Sequence, residues 1–309
     1  MISTARKETR GAVLQLRLGR TCDEAIKYLD SMPTGSLNNA RNAVPHLGAT
    51  GFDTLIRAAV AYYERWVDTT ARELRDLFIS SNLEAQIRGD RYWTVVTTDP
   101  SAPHLASMIR AELNDLTNVF FDAANELRAL KERYKNADGR CLVLDTNDFL
   151  HYQLMDQLPW IKTYGKSARV IVPHVVLDEI DSKSYQLSSS VHNRARGIYR
   201  MLERLLDNMD AEGFVRLGDG TPCMFLLDDP EHKRSSSNDQ EIVSRAGYLQ
   251  QYLSPGAVSV VTRDLGMRGR ARSWLLKAEK LPDRFLRSSD LSDAAAEKAL
   301  TELDQSNDG

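Results

Sequence analysis

The feature that most limits what this chain can become is a change of hydrophobic period at Asn136-Ala137-Asp138-Gly139, a polar turn ending in glycine. Before it, apolar residues recur three and four apart. From Phe52 to Phe78 they are Leu55, Ile56, Ala59, Val60, Tyr63, Trp66, Val67, Leu74, Leu77 and Phe78, the stripe of one long amphipathic helix. A second stripe runs from Leu105 through Ile109, Leu113, Leu116, Phe120 and Leu127 to Tyr134, with Ser101 as its expected N-cap. A shorter helix is expected near Thr21 to Leu29, and Met32 to Gly51, which carries Pro, Asn and Gly, reads as a connector. Residues 1–138 are thus expected to form an all-α helical bundle or hairpin, with their aromatics in its core. The two stripes carry more apolar surface than a pair of helices readily hides, so a protein partner or a homo-oligomer is expected through this half.

Beyond the turn, short β-rich runs alternate with helical patterns. Cys141 to Leu144, Ala168 to Val172, Met224 to Leu227 and Ala257 to Val261 read as strands. Helices are expected over 175–185, 191–209 and 239–253, and again after Asp264. Strand alternating with helix implies right-handed crossovers, hence an α/β fold with a mostly parallel sheet covered on both faces over residues 139–290. The remainder, 291–309, is acidic and polar and is expected to be partly disordered.

Bulk properties exclude some classes. A net charge of −3, with Lys and Arg balancing Asp and Glu over residues 1–138 and the acidic excess in the rest, makes neither half a dedicated basic nucleic-acid arm. The three cysteines, Cys22, Cys141 and Cys223, have neither zinc-site spacing nor the even number of a disulfide framework. Met1 to Arg10 lacks an apolar signal core, and no run of about 18 uncharged apolar residues occurs. A reduced cytoplasm is the expected setting, without a membrane.

In an open parallel sheet, ligands bind at the carboxyl ends of the strands. Four acids fall there. Asp145 ends the first strand, Glu179 lies on the helix after the second, Asp239 opens a helix after a polar loop, and Asp264 follows the last strand by two residues. Converging carboxylates repel one another unless a cation joins them. Oxygen-only donors without His or Cys favour Mg²⁺ or Mn²⁺, and such a site suits phosphodiester hydrolysis. Each acid also has a plainer reading. Asp239 sits in Asn238-Asp239-Gln240-Glu241, a capping-box arrangement, and Asp264 stands in a helix's first turn. Glu179 lies among Asp178 and Asp181, as acids on a solvated face do. Asp145, directly after four buried apolar residues, is hardest to explain as surface.

Residues 141–287 resemble the PIN domain, the nuclease fold of toxin–antitoxin ribonucleases and of RNA-decay and RNA-maturation endonucleases. The resemblance rests on four stretches: Val143-Leu144-Asp145-Thr146-Asn147-Asp148-Phe149-Leu150-His151, Val170 through Pro173 to Asp181, Asn238 to Ile242, and Val260 to Leu265. Pro173-His174-Val175-Val176-Leu177-Asp178-Glu179-Ile180-Asp181 and the following Arg194-Ala195-Arg196 look more like the larger PIN variety than the minimal toxins. The resemblance implies a three-layer α/β/α fold and a metal-dependent ribonuclease in which Asp145, Glu179, Asp239 and Asp264 are catalytic and hold the metal. It implies that Thr146, Asn147, Asn238 and Thr262 support them. It does not reach residues 1–138.

Arg263, Arg268, Arg270 and Arg272, with Lys183, Arg194 and Arg196, are expected to line a groove for the RNA backbone, against the plainer reading of a solvated helix face. The loop from Asp228 to Ser237 reads as a flap over substrate or a plain linker. His151, His174 and His192 read as structural. A phosphatase of the haloacid-dehalogenase type needs an acid two residues after the first, where Asn147 stands, and a receiver or dinucleotide-binding domain needs early acids or a Gly-rich loop that this chain lacks. The alternative from another class is a non-catalytic module binding RNA or protein, which the intact acid quartet opposes.

Overall fold

A computed structural model describes residues 15–46, 49–80, 83–185, 192–211, 213–228 and 232–287. The expected acidic tail at 291–309 and the segment Met1 to Arg10 lie outside these residues. The chain divides into two compact units, Met1–Arg133 and Tyr134–Gly309.

The first unit is helical. In order it has β1 (Gln15–Leu16), α1 (Cys22–Thr34), α2 (Ser36–Asn42), α3 (Phe52–Leu77), β2 (Phe78–Ser80), α4 (Leu83–Ile87), α5 (Asp90–Thr97) and α6 (Leu105–Tyr134), the two strands pairing as a small antiparallel ribbon. The α3 stripe buries Ile56, Ala59, Tyr63, Trp66, Val67 and Leu74, and α6 buries Leu105, Ile109, Leu113, Leu116, Phe120 and Leu127. Tyr63 packs between Trp66 and Tyr92. Thr21 caps α1 in a capping box with Glu24, as the Thr-x-x-Glu spacing dictates. Two expectations fail here. Ser101 does not cap α6; its amide and hydroxyl both donate to the Asp99 carboxylate in a turn that precedes the helix. The expected connector after Met32 is helical as far as Asn42, with Pro33 inside the last turn of α1 and Gly35 separating α1 from α2.

The second unit is α/β. Its elements are β3 (Arg140–Leu144), α7 (Thr146–His151), α8 (Trp160–Tyr164), β4 (Ala168–Pro173), α9 (His174–Ser184), α10 (His192–Asp207), β5 (Phe214–Arg216), β6 (Pro222–Leu226), α11 (Asn238–Gln250), β7 (Val258–Val261), α12 (Leu265–Ser273) and β8 (Lys277–Glu279). The six-stranded sheet has the order β5-β6-β4-β3-β7-β8 and is parallel except for β5 on β6. Strand β3 lies in its middle, with Val143 beside Ile171 and Leu144 beside Val261. Cys141 to Leu144, Val170 to Val172 and Val260 to Val261 are essentially inaccessible. Strands covered on both faces read as continuous apolar runs, which is why these were legible. Each such Val, Ile or Leu contributes at most about 1.5–3 kcal/mol by burial.

The turn that opens this unit requires glycine. A side chain on Gly139 would stand 2.5 Å from the Ser167 carbonyl, at a φ of +154°. That carbonyl also accepts the Arg140 amide at 2.8 Å, so β3 and β4 are fastened at their amino ends. The register set there decides which residues reach the opposite, carboxyl edge.

Candidate metal centre

Asp145 is the first residue past β3, at the middle of the carboxyl edge. Its amide is shared between the Val261 carbonyl on β7 and Oδ2 of Asp148. Its carboxylate points inward, where the residue is only 2% exposed. Oδ2 accepts the Thr262 hydroxyl at 2.8 Å and the Asn147 side-chain amide at 3.3 Å. Burial pushes this carboxyl above its ordinary value; the Thr262 hydroxyl and the Asn147 backbone pull it back, while the charges of Asp239 and Glu179 push it further up. Among the described residues no cationic side chain pairs with Asp145. A buried carboxylate in that state is costly to keep charged.

The other three acids face the same edge in different ways. Glu179 is half-buried on α9 and takes the hydroxyl of Thr146, the residue after Asp145. Asp264 is exposed, and as N-cap of α12 its Oδ1 accepts the Met267 amide at 2.6 Å. Its own amide donates to Thr262 Oγ1 at 3.0 Å. Thr262 is wholly buried and thereby joins Asp145 to Asp264. Asp239 is not the cap of α11. Ser237 is, with its hydroxyl accepting the Gln240 amide, so Asp239 stands free in the first turn and binds Arg270 at 3.0 Å. Asn238, next to it, is exposed at the first position of α11.

No three of these four acids bring their oxygens within 4.8 Å of one another. Among the described residues that closeness is reached only by Asp228, His232 and Glu241. This second group already has partners among the side chains around it. His232 Nε2 lies 2.6 Å from Glu241 Oε1, and the Ser235 amide donates to Oε2 at 2.7 Å. Asp228 has Arg234 Nε at 2.9 Å and Arg245 Nε at 3.4 Å. The arrangement pins Asp228 and the loop residues 232–237 onto α11, just ahead of Asp239. Glu241, 1% exposed, is therefore the anchor of that loop. Sequence reasoning treated it as a capping acid; the His-x8-Glu spacing carries no local signal of the contact.

The expected basic groove divides. Arg270 reaches the acids. Arg194 donates to the carbonyls of Phe149 and Tyr152 and holds the end of α7, so it is a structural tie. Arg272 lies at the far edge, in an open pocket with Gly139, Ser167 and Gly256 at the amino ends of the strands, because α12 runs back down the sheet from Asp264. Arg263, Arg268 and Lys183 are half-buried and Arg196 is exposed. Asp148 was missed. It is buried, one of its oxygens lacks a partner, and burial holds its carboxyl well above the ordinary range, with the Asp145 charge pushing the same way. The family model described as PIN domain matches residues 142–282, and no curated protein matches the chain.

Proposed function

We propose, from the match of residues 142–282 to the PIN domain model, a nuclease-type family, that this chain is a metal-dependent ribonuclease whose working edge is Asp145, Glu179, Asp239 and Asp264. One observation carries the reading: Asp145 is a buried carboxylate at the carboxyl end of the central strand, fixed by neutral donors and, among the described residues, unaccompanied by any cationic side chain. Such a group is costly to keep charged unless a cation belongs beside it. The donors that face the edge are all oxygens, which fits Mg²⁺ or Mn²⁺.

When bound, such an ion polarises the phosphoryl group and lowers the pKa of an attacking water. The chain's own residues do the positioning. Thr262 and Asn147 fix the direction of the Asp145 carboxylate, and Thr146 fixes Glu179 from the adjacent backbone position. Asp264 spends one oxygen on the α12 cap and leaves the other to the site. Asp239 stands at the rim, half-exposed, where the edge meets solvent. No histidine has to serve as a base. His174 contacts Asp228 and Asp178 instead. The half-buried and exposed cations Arg196, Arg263, Arg268 and Lys183 would hold phosphates of the RNA strand without reading its bases.

The test is cleavage of single-stranded and structured RNAs by the full chain with Mg²⁺ or Mn²⁺. Hydrolysis should stop in EDTA and in Asp145→Asn, which should fold at least as stably as the parent. Undiminished cutting by pure protein in chelator, or by the variant, would overturn the assignment.

A further inference from the structure

Arg270 is placed oddly for a surface arginine. Its Nη2 stands 3.0 Å from Oδ2 of Asp239, so it occupies one acid of the proposed site rather than open solvent. It reaches there from α12, six residues past the cap Asp264, by folding back over the first turn of its own helix. The guanidinium passes beside Gly266. A Cβ at Gly266 would lie 3.2 Å from Asp264 Oδ1 and 3.6 Å from Arg270 Nη2, so Asp264 and the guanidinium flank the same empty position. The charge of Asp239 in turn bears on Asp145. The guanidinium thus supplies positive charge to the rim of a set of acids whose innermost member has no cationic partner among the described residues. Half-exposed on both sides, the pair is held weakly and exchanges easily.

We propose that Arg270 is a resident counter-ion of the acid edge, which holds Asp239 while the site is metal-free and turns to a phosphate of the RNA once Asp239 is taken up by a divalent cation. This rests on the nuclease reading above. Two physical facts make the exchange follow from the geometry. Arg270 and a metal ion would draw on the charge of the same carboxylate, so each weakens the other's hold on it. A guanidinium released at that place is planar, permanently charged and matched to two phosphate oxygens, beside the bond the acids would act on. Arg270 would then raise the selectivity of loading: without RNA it opposes metal, and with RNA its charge is satisfied elsewhere.

The experiment is titration of the full chain with Mn²⁺, followed by electron paramagnetic resonance of the free ion, for the parent, Arg270→Gln and Asp145→Asn. Loss of an exposed competing ion pair should tighten Mn²⁺ binding to Arg270→Gln by about two- to five-fold. In Ca²⁺, which lets RNA bind without requiring turnover, the same variant should bind a single-stranded RNA more weakly. Its log–log salt slope should be lower by about one, the loss of one phosphate contact. Both results are required. Mn²⁺ binding that Asp145→Asn abolishes but Arg270→Gln leaves unchanged or weakens overturns the counter-ion role alone. Tighter Mn²⁺ with unaltered RNA binding overturns the exchange. A parent chain that binds no Mn²⁺ overturns this inference together with the reading beneath it.

Discussion

The Thr262 hydroxyl lies 2.8 Å from Oδ2 of Asp145 and joins the ends of the adjacent strands β3 and β7. It also accepts the Asp264 amide, so one buried oxygen fixes two acids that are far apart in sequence. Thr262→Val keeps the shape and removes both hydrogen bonds. It leaves the Asp264 amide unpaired and takes from Asp145 the donor that most favours its charged form. Stability should fall by about 1–3 kcal/mol. Mn²⁺ affinity should fall by about 10- to 100-fold, the usual effect of losing a residue that orients a metal ligand. Denaturant unfolding and metal titration of the variant read these separately; unchanged affinity would show that Thr262 only packs.

The sequence revealed those parts of this unit whose signal is local and strong. Strands β3, β4, β6 and β7 are apolar runs between turn residues, and Asp145 stands out because a charge follows such a run. Strands β5 and β8 are three residues each, and β8 shows no apolar run at all, since its place is set by pairing with β7. Site residues divide in the same way. Thr146, Asn147 and Thr262 adjoin the acids in sequence, so the expectation of them follows from the acids, and each hydrogen-bonds to one of them. The contacts of Glu241 with His232, of Arg194 with the end of α7, and of Arg270 with Asp239 are made by tertiary folding, and side chains of one type give no hint of which edge of a sheet they reach. Arg272 and Arg270, two residues apart on α12, end at different edges for that reason.

His232 pins the loop ahead of Asp239 through its 2.6 Å contact with buried Glu241. In His232→Ala the Glu241 carboxylate stays buried with the Ser235 amide as its remaining partner there. A loss of about 1–3 kcal/mol is expected, with the loop released locally. Trypsin should then cut faster at Lys233 and Arg234, and His232→Gln, which restores a donor, should slow the cut again. Equal cutting of all three proteins would show the loop is held by other contacts.

Arg272 lies among the amino ends of the strands, away from the acids. Arg272→Ala should therefore change stability by no more than about 0.5 kcal/mol. It should leave both RNA affinity and its salt dependence as they are in the parent. A salt slope lower by about one would mean that RNA runs past the amino edge of the sheet as well.

Asp148 gives the metal-free protein a distinct pH dependence. Its carboxyl is held well above the ordinary 3.8, first by burial and then by the Asp145 charge. A carboxyl raised on folding binds its proton more tightly in the folded than in the unfolded chain. Its contribution to stability is therefore fully present below about 3.8 and is lost as pH rises through the raised folded value. Asn cannot titrate, so the difference between Asp148→Asn and the parent reads this group together with its coupling to Asp145, free of the more distant carboxylates. In EDTA the two should differ by a constant amount in acid. The variant should gain on the parent progressively as pH rises from about 4 towards neutrality, since only the parent must then either keep a proton against rising pH or bury a charge. Urea unfolding of both proteins across that range measures the difference directly. A stability difference that stays flat from acid to neutral pH would mean that Asp148 titrates alike in the folded and unfolded chain, and that its burial beside Asp145 costs nothing.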